Sequence, residues 1–184
     1  MDIIVKYIDE LLEKSTPEAP MWNIEKIRQG LKSNWNYIDG VMIKAVLQMY
    51  DVTKDEKYLK FADNFIDYRV HEDGTIDGYS IGEKNIDNVN AGKTLFELYD
   101  LTGKEKYRKA IDLVYSQIEI MPRCNNEARS FWHKEIYPNQ VWLDGMYMGQ
   151  PFYLEYETKF NNRKNYPDIF AQFKYVIENM KNPL

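Results

Sequence analysis

An all-α fold of helical hairpins in two layers is predicted by three observations. Apolar residues recur at helical spacing, one hairpin pattern repeats three times, and the two helices of each hairpin differ in kind. With 44% hydrophobic and 29% charged residues over 184 positions, the chain can bury a core as one domain, residues 1–184.

The first helix is marked by Ile3, Ile4, Tyr7, Ile8, Leu11 and Leu12, with acids and lysines between them, over residues 2 to 14. It ends before Pro17 and Pro20. A second helix is expected over about residues 22 to 32. The repeat then begins. Its units open with YIDGVMIKAVLQMY at Tyr37, NIDNVNAGKTLFELY at Asn85 and WLDGMYMGQPFYLEY at Trp142. Tyr50, Tyr99 and Tyr156 correspond, and Lys57-Tyr58, Lys106-Tyr107 and Asn165-Tyr166 follow at similar distances. The units start 48 residues apart (37 to 85) and then 57 apart (85 to 142). That is longer than the roughly 34 residues of a tetratricopeptide repeat.

The first helix of a unit is apolar on nearly all sides: Val41, Met42, Ile43, Ala45, Val46, Leu47 and Met49 leave little polar face, so protein should surround it. The second carries a single stripe, such as Tyr58, Leu59, Ala62, Phe65 and Ile66, then Tyr107, Ala110, Ile111, Val114 and Ile118. Inner helices ringed by outer ones form a two-layer (α/α) toroid or a solenoid. The extra length falls in loops 70–88 and 121–141, where function tends to sit.

Composition excludes several partners and chemistries. A net charge of -5 argues against a nucleic-acid surface. No apolar run approaches the roughly 20 residues of a membrane span, and Asp2, Lys6, Asp9 and Glu10 interrupt any signal-peptide core, so no membrane partner is expected. Cys124 is the only cysteine, which points to the cytoplasm. Two histidines and one cysteine make no credible metal cluster, so no metal is expected, and no phosphate-cradling loop or triad signature is present.

Each unit carries an Asp at the start of its inner helix: Asp39, Asp87 and Asp144. Asp is a favoured N-cap, which accounts for any one of them. Three at equivalent places on one rim suggest a shared pocket, and close carboxylates shift each other toward general-acid chemistry. Asp144 has the richest surroundings in sequence, with Trp132, His133, Trp142 and Tyr147 close by. Covering rings would favour its protonated form, and a capping role would favour the anion.

The block FWHKEIYPNQVWLDGMYMGQPFY resembles the central block of unsaturated rhamnogalacturonyl hydrolases, glycoside hydrolase family 105. The stretches from Trp35 and Asn85 resemble the two blocks before it, so the match runs from about Trp35 to the C-terminus. The related unsaturated glucuronyl hydrolases of family 88 share that family's fold and acidic pair and are the readiest confusion with it. The resemblance implies an (α/α)6 barrel, of which this chain supplies about half, with roughly seven of its helices before the closing MKNPL. It implies hydration of the 4,5-double bond of an unsaturated uronic acid left by pectin cleavage. By resemblance Asp144 is the acid/base and Asp87 its partner carboxylate, with Tyr37, Asn88, His133, Trp142 and Met148 as substrate contacts. The open ring implies a homodimer or a missing C-terminal half. Two alternatives stay open on the residues themselves. One is a non-catalytic toroid fragment that binds sugar or a subunit. The other is a conventional glycosidase using Asp87 and Asp144 as its carboxylate pair.

Overall fold

The computed structural model describes residues 2–181; Met1 and residues 182–184, the end of the MKNPL stretch, lie outside the described residues. Eight α-helices follow in order: α1 (Asp2–Glu13), α2 (Ile24–Arg28), α3 (Tyr37–Thr53), α4 (Glu56–Asp67), α5 (Lys93–Thr102), α6 (Glu105–Ile120), α7 (Leu143–Lys159) and α8 (Tyr166–Asn179). Helix α2 is shorter than the sequence predicts. It stops at Arg28 because Gly30 takes a left-handed turn, with φ at 68°, and the amides of Gln29 and Leu31 close back on Lys26. Among the described residues no helix is long and apolar enough to cross a membrane.

Helices α3, α5 and α7 form the inner layer, and α4, α6 and α8 pack outside them, one per unit. The aligned tyrosines end the inner helices in the same way. The carbonyls of Tyr50, Tyr99 and Tyr156 accept the N–H of Lys54, Gly103 and Phe160 at 2.7–2.8 Å. Acids on the outer layer then tie unit to unit. Asp9 of α1 accepts from Tyr58 at 2.9 Å, and Asp63 of α4 accepts from Tyr107 at 2.6 Å. Asp112 of α6 accepts from Tyr156 at 2.9 Å. Each tyrosine therefore spends its ring in the interior and its hydroxyl on a carboxylate, the division that a ring with a polar end favours.

The core runs continuously through the units. Tyr58, Tyr107, Phe65, Phe96 and Phe152 are fully buried within it, each worth about 1.5–3 kcal/mol if buried like other large apolar side chains. The inner helices are less enclosed than the apolar run from Val41 to Met49 predicts. Val41 is exposed, and Lys44 of α3 forms an ion pair with Glu97 of α5.

The second inner helix departs from the expected α-helix at its start. Residues Ile86–Gly92 form a 3-10 helix that runs directly into α5. It lies between α3 and α7, and small residues make the fit possible. A Cβ on Gly40 of α3 would sit 2.6 Å from Ala91 Cα and 2.7 Å from its nitrogen. Backbone atoms cannot rotate away from such a clash. Gly40→Ala is expected to destabilise the chain by about 1–3 kcal/mol, as overpacking does. Urea denaturation measures this, and an unchanged midpoint would show that the two segments separate freely.

Candidate active site at the rim of the inner helices

Asp39, Asp87 and Asp144 all lie in the first turn of an inner-layer helix, yet none is its N-cap. Asn36 caps α3 by accepting from Asp39 N at 3.0 Å, and Asn85 caps the 3-10 helix by accepting from Asp87 N at 3.1 Å. Trp142 precedes α7 without a side-chain cap, and Asp144 itself accepts from Gly145 N at 2.9 Å. Placing the cap on asparagine frees the aspartates for other partners.

They use that freedom differently. Asp39 is buried and accepts from Trp22 Nε1 at 2.8 Å, from Asn23 and Asn36 at 3.0 Å, and from Ser33 at 3.3 Å. Burial raises its pKa against the pull of these donors and of Arg69. Its donors all come from residues 22–36, so Asp39 locks that segment onto α3. It is not in the cluster that gathers the other two.

Loop 121–141 brings the remaining parts together. A single antiparallel bridge pairs Asn85 with Lys134, and Ile86 N donates to His133 O at 3.0 Å. This backbone pairing sets His133 and Lys134 beside Asp87. Lys134 Nζ lies 2.7 Å from Asp87 Oδ2, and His133 Nε2 lies 3.5 Å from Asp87 Oδ1. One ligand-bearing atom each of Asp87, His133 and Asp144 falls within 4.8 Å of the others. Asp87 is 8% exposed and His133 2%, whereas Asp144 stands exposed at the opening.

Of the aromatic residues near Asp144 in sequence, Trp142 covers the histidine. The His133 ring stacks on Trp142 with centroids 4.2 Å apart and planes 8° apart, and Trp142 stacks in turn on Tyr137 at 5.1 Å. Burial lowers the His133 pKa, opposed by the charges of Asp87 and Asp144 and helped by Lys134. His133 is therefore a neutral imidazole at neutral pH.

Of the other expected contacts, Tyr37 is exposed at the start of α3, and its carbonyl accepts from Asn90 Nδ2 at 2.9 Å. Asn88 follows Asp87 and donates to Glu83 Oε2 at 3.0 Å. Met148 is buried in the core beneath the rim. Two lysines went unnoticed in the sequence. Lys134 follows His133 directly, but nothing in its spacing marks it as the partner of Asp87. Lys93 donates to the Tyr147 carbonyl at 3.1 Å and lies 3.8 Å from the centre of the Tyr147 ring. That carbonyl is free because Pro151, four residues on, has no N–H to give it. Burial holds the Lys93 pKa down to about 8, with the nearby charge of Lys44 adding to it.

Helical hairpins in two layers, with Asp87 and Asp144 brought together at the rim of the inner layer, place the chain in the (α/α)-toroid class of folds. The sequence profile of Glycosyl Hydrolase Family 88 matches residues 7–184, and the chain belongs to that family. It is also similar to the solved structure of a family 105 glycoside hydrolase from C. acetobutylicum ATCC 824, at 43% identity and a TM-score of 0.78. That match covers 86% of this chain and 44% of the other, so the chain spans less than half the length of that structure.

Proposed function

We propose that the chain carries the acid/base part of a hydrolase for unsaturated uronyl disaccharides derived from rhamnogalacturonan, acting in pectin breakdown in the cytoplasm. The observation that carries this reading is the meeting of Asp87, His133 and Asp144 within 4.8 Å at the rim. The substrate is an enol ether. Asp144 delivers a proton to C4, and the ring oxygen stabilises the positive charge that develops at C5. Water adds at C5 and returns a proton to Asp144. The resulting hemiketal opens to a ketone and releases the neighbouring rhamnose. Asp87, held by Lys134, supports Asp144 and binds substrate with His133. The exposed part of Trp142 offers an apolar face to the sugar, Tyr37 and Asn88 flank it, and Met148 backs the rim. No metal or organic cofactor takes part.

A second reading is favoured by one distance. One oxygen each of Asp87 and Asp144 lie within 4.8 Å of each other, nearer the roughly 5 Å of a retaining pair than the about 6.5–9.5 Å of an inverting one. Ultraviolet absorbance of an unsaturated rhamnogalacturonan disaccharide separates the two, because hydration destroys the double bond. Turnover of a saturated disaccharide with the unsaturated one untouched would favour the carboxylate pair.

The ring is open at both flanks, and we propose that a second copy of the chain or a C-terminal half covers them. Ile3 of α1 is 81% exposed and Phe170 of α8 is 69% exposed, with Tyr7 and Ile177 beside them in sequence periodicity. Burial returns about 25 cal/mol per Å² of apolar surface. The isolated chain is expected to self-associate, seen by light scattering across a concentration series. A monomer mass throughout would show that the flanks tolerate water.

A further inference from the structure

Most buried charged groups in this molecule have their partners. Asp39 has four donors, Glu157 has four, and Lys104 and Lys106 share Asp63 and Asp67. Single unmet nitrogens remain on Arg69 and Arg108, and a cluster of unmet groups lies at the rim. His133 is only 2% exposed, and among the described residues neither of its ring nitrogens has a hydrogen-bond partner. Asp87 Oδ1, 3.5 Å from His133 Nε2, has none either. A buried polar group left unmet is costly, so these mark a place where something is expected to bind.

We propose that Asp87, His133 and Asp144 form a binding site for a transition-metal dication of the zinc class. The donor set is one imidazole nitrogen and two carboxylate oxygens. Lys134 occupies Asp87 Oδ2 and leaves Oδ1 free to bind the ion. Zinc holds nitrogen and oxygen ligands at about 2.0–2.2 Å, so neighbouring ligand atoms on one ion stand roughly 3–3.5 Å apart. The His133–Asp87 separation of 3.5 Å already meets this. Asp144, exposed and within 4.8 Å, has room to swing inward and complete three protein ligands. An imidazole among carboxylates suits zinc, cobalt or nickel, whereas magnesium and calcium take oxygen alone. Counting histidines and cysteines in the sequence could not find this site, because two of its three ligands are aspartates.

The ion would sit where the proposed reaction takes place, and so would block it. Binding does not depend on that reaction, and the two ideas can fail separately. Calorimetric titration of the full chain with zinc chloride, in metal-free buffer, tests it. One ion per chain is expected, and cobalt at the same site should give a visible d–d spectrum that zinc abolishes. Asp144→Asn should weaken binding at least roughly tenfold, the loss that even an outer partner of a metal ligand gives. Because Asp144 is exposed, that variant should fold. His133→Gln should do the same, with circular dichroism reporting whether it folds. His71→Gln is the control: His71 lies with Asp77 at 2.8 Å on an exposed turn and should not matter. Absence of binding, or binding that survives Asp144→Asn and is lost in His71→Gln, would overturn the proposal. A chain inactive on the disaccharide that still binds zinc through Asp144 would leave it standing.

Discussion

Asp144→Asn is expected to cut hydration of the unsaturated disaccharide by about 10²–10⁴-fold, the range that a positioned acid/base contributes. Asparagine has the same shape, and its carbonyl oxygen can still accept from Gly145 N, the bond that aspartate makes at 2.9 Å. The first turn of α7 should therefore persist, and the loss should fall on kcat with little change in KM. Asp144 is exposed, so no core packing is disturbed and the urea midpoint should not move. Comparing initial rates of absorbance loss for the two proteins, folded to the same extent, makes the measurement. A near-wild-type rate in the variant would remove Asp144 from the chemistry.

Glu157→Ala is expected to be the most damaging single change to stability. Glu157 sits near the end of α7, fully buried, where α6, α7 and the loop before α8 meet. Its carboxylate accepts from Tyr115 Oη at 2.7 Å, Asn161 Nδ2 and Asn165 N at 2.8 Å, and Asn165 Nδ2 at 3.0 Å. Burial alone would raise its pKa, yet these donors together bring it below the ordinary 4.5. Removing the carboxylate strands several buried donors, each worth about 1–3 kcal/mol, so a total loss of about 3 kcal/mol or more is expected. The sign with pH follows from the lowered pKa. The stabilisation is fully present above about 4.5 and is lost as pH falls through the folded-state value. The wild type should thus lose stability more steeply below pH 4.5 than Glu157→Gln, which has no such proton to take up. Urea midpoints across that range supply the comparison. A shift within about 0.5 kcal/mol, the usual size for a surface change, would show the network to be dispensable.

The periodic parts of the fold were legible because they rest on one signal, apolar spacing. Tyr50, Tyr99 and Tyr156 align in sequence and end their helices with the same bond in space. The pairing of Asp87 with Asp144 was legible for the same reason, since both fall at one place in the repeat. What sequence misjudged was local. Aspartate and asparagine both favour caps, so the sequence pointed to the aspartates where Asn36 and Asn85 do the capping. Asp39 looked equivalent to the other two, but its partners are Trp22, Asn23 and Ser33, which belong to a segment outside the repeat. The 3-10 stretch Ile86–Gly92 reads as ordinary helix, because its tight winding follows from being wedged between α3 and α7. Lys134 could not be foreseen either. Its role depends on a single backbone bridge between residues 49 positions apart, Asn85 and Lys134.

The proposed reaction adds water across a carbon–carbon double bond and does not attack the anomeric carbon. Turnover of the unsaturated disaccharide in deuterium oxide, followed by NMR of the released uronic acid, tests this most directly. Hydration takes the C4 proton from solvent through Asp144, so the account predicts loss of the ultraviolet absorbance together with one deuterium at C4. Release of rhamnose with the double bond intact and no deuterium at C4 would contradict it.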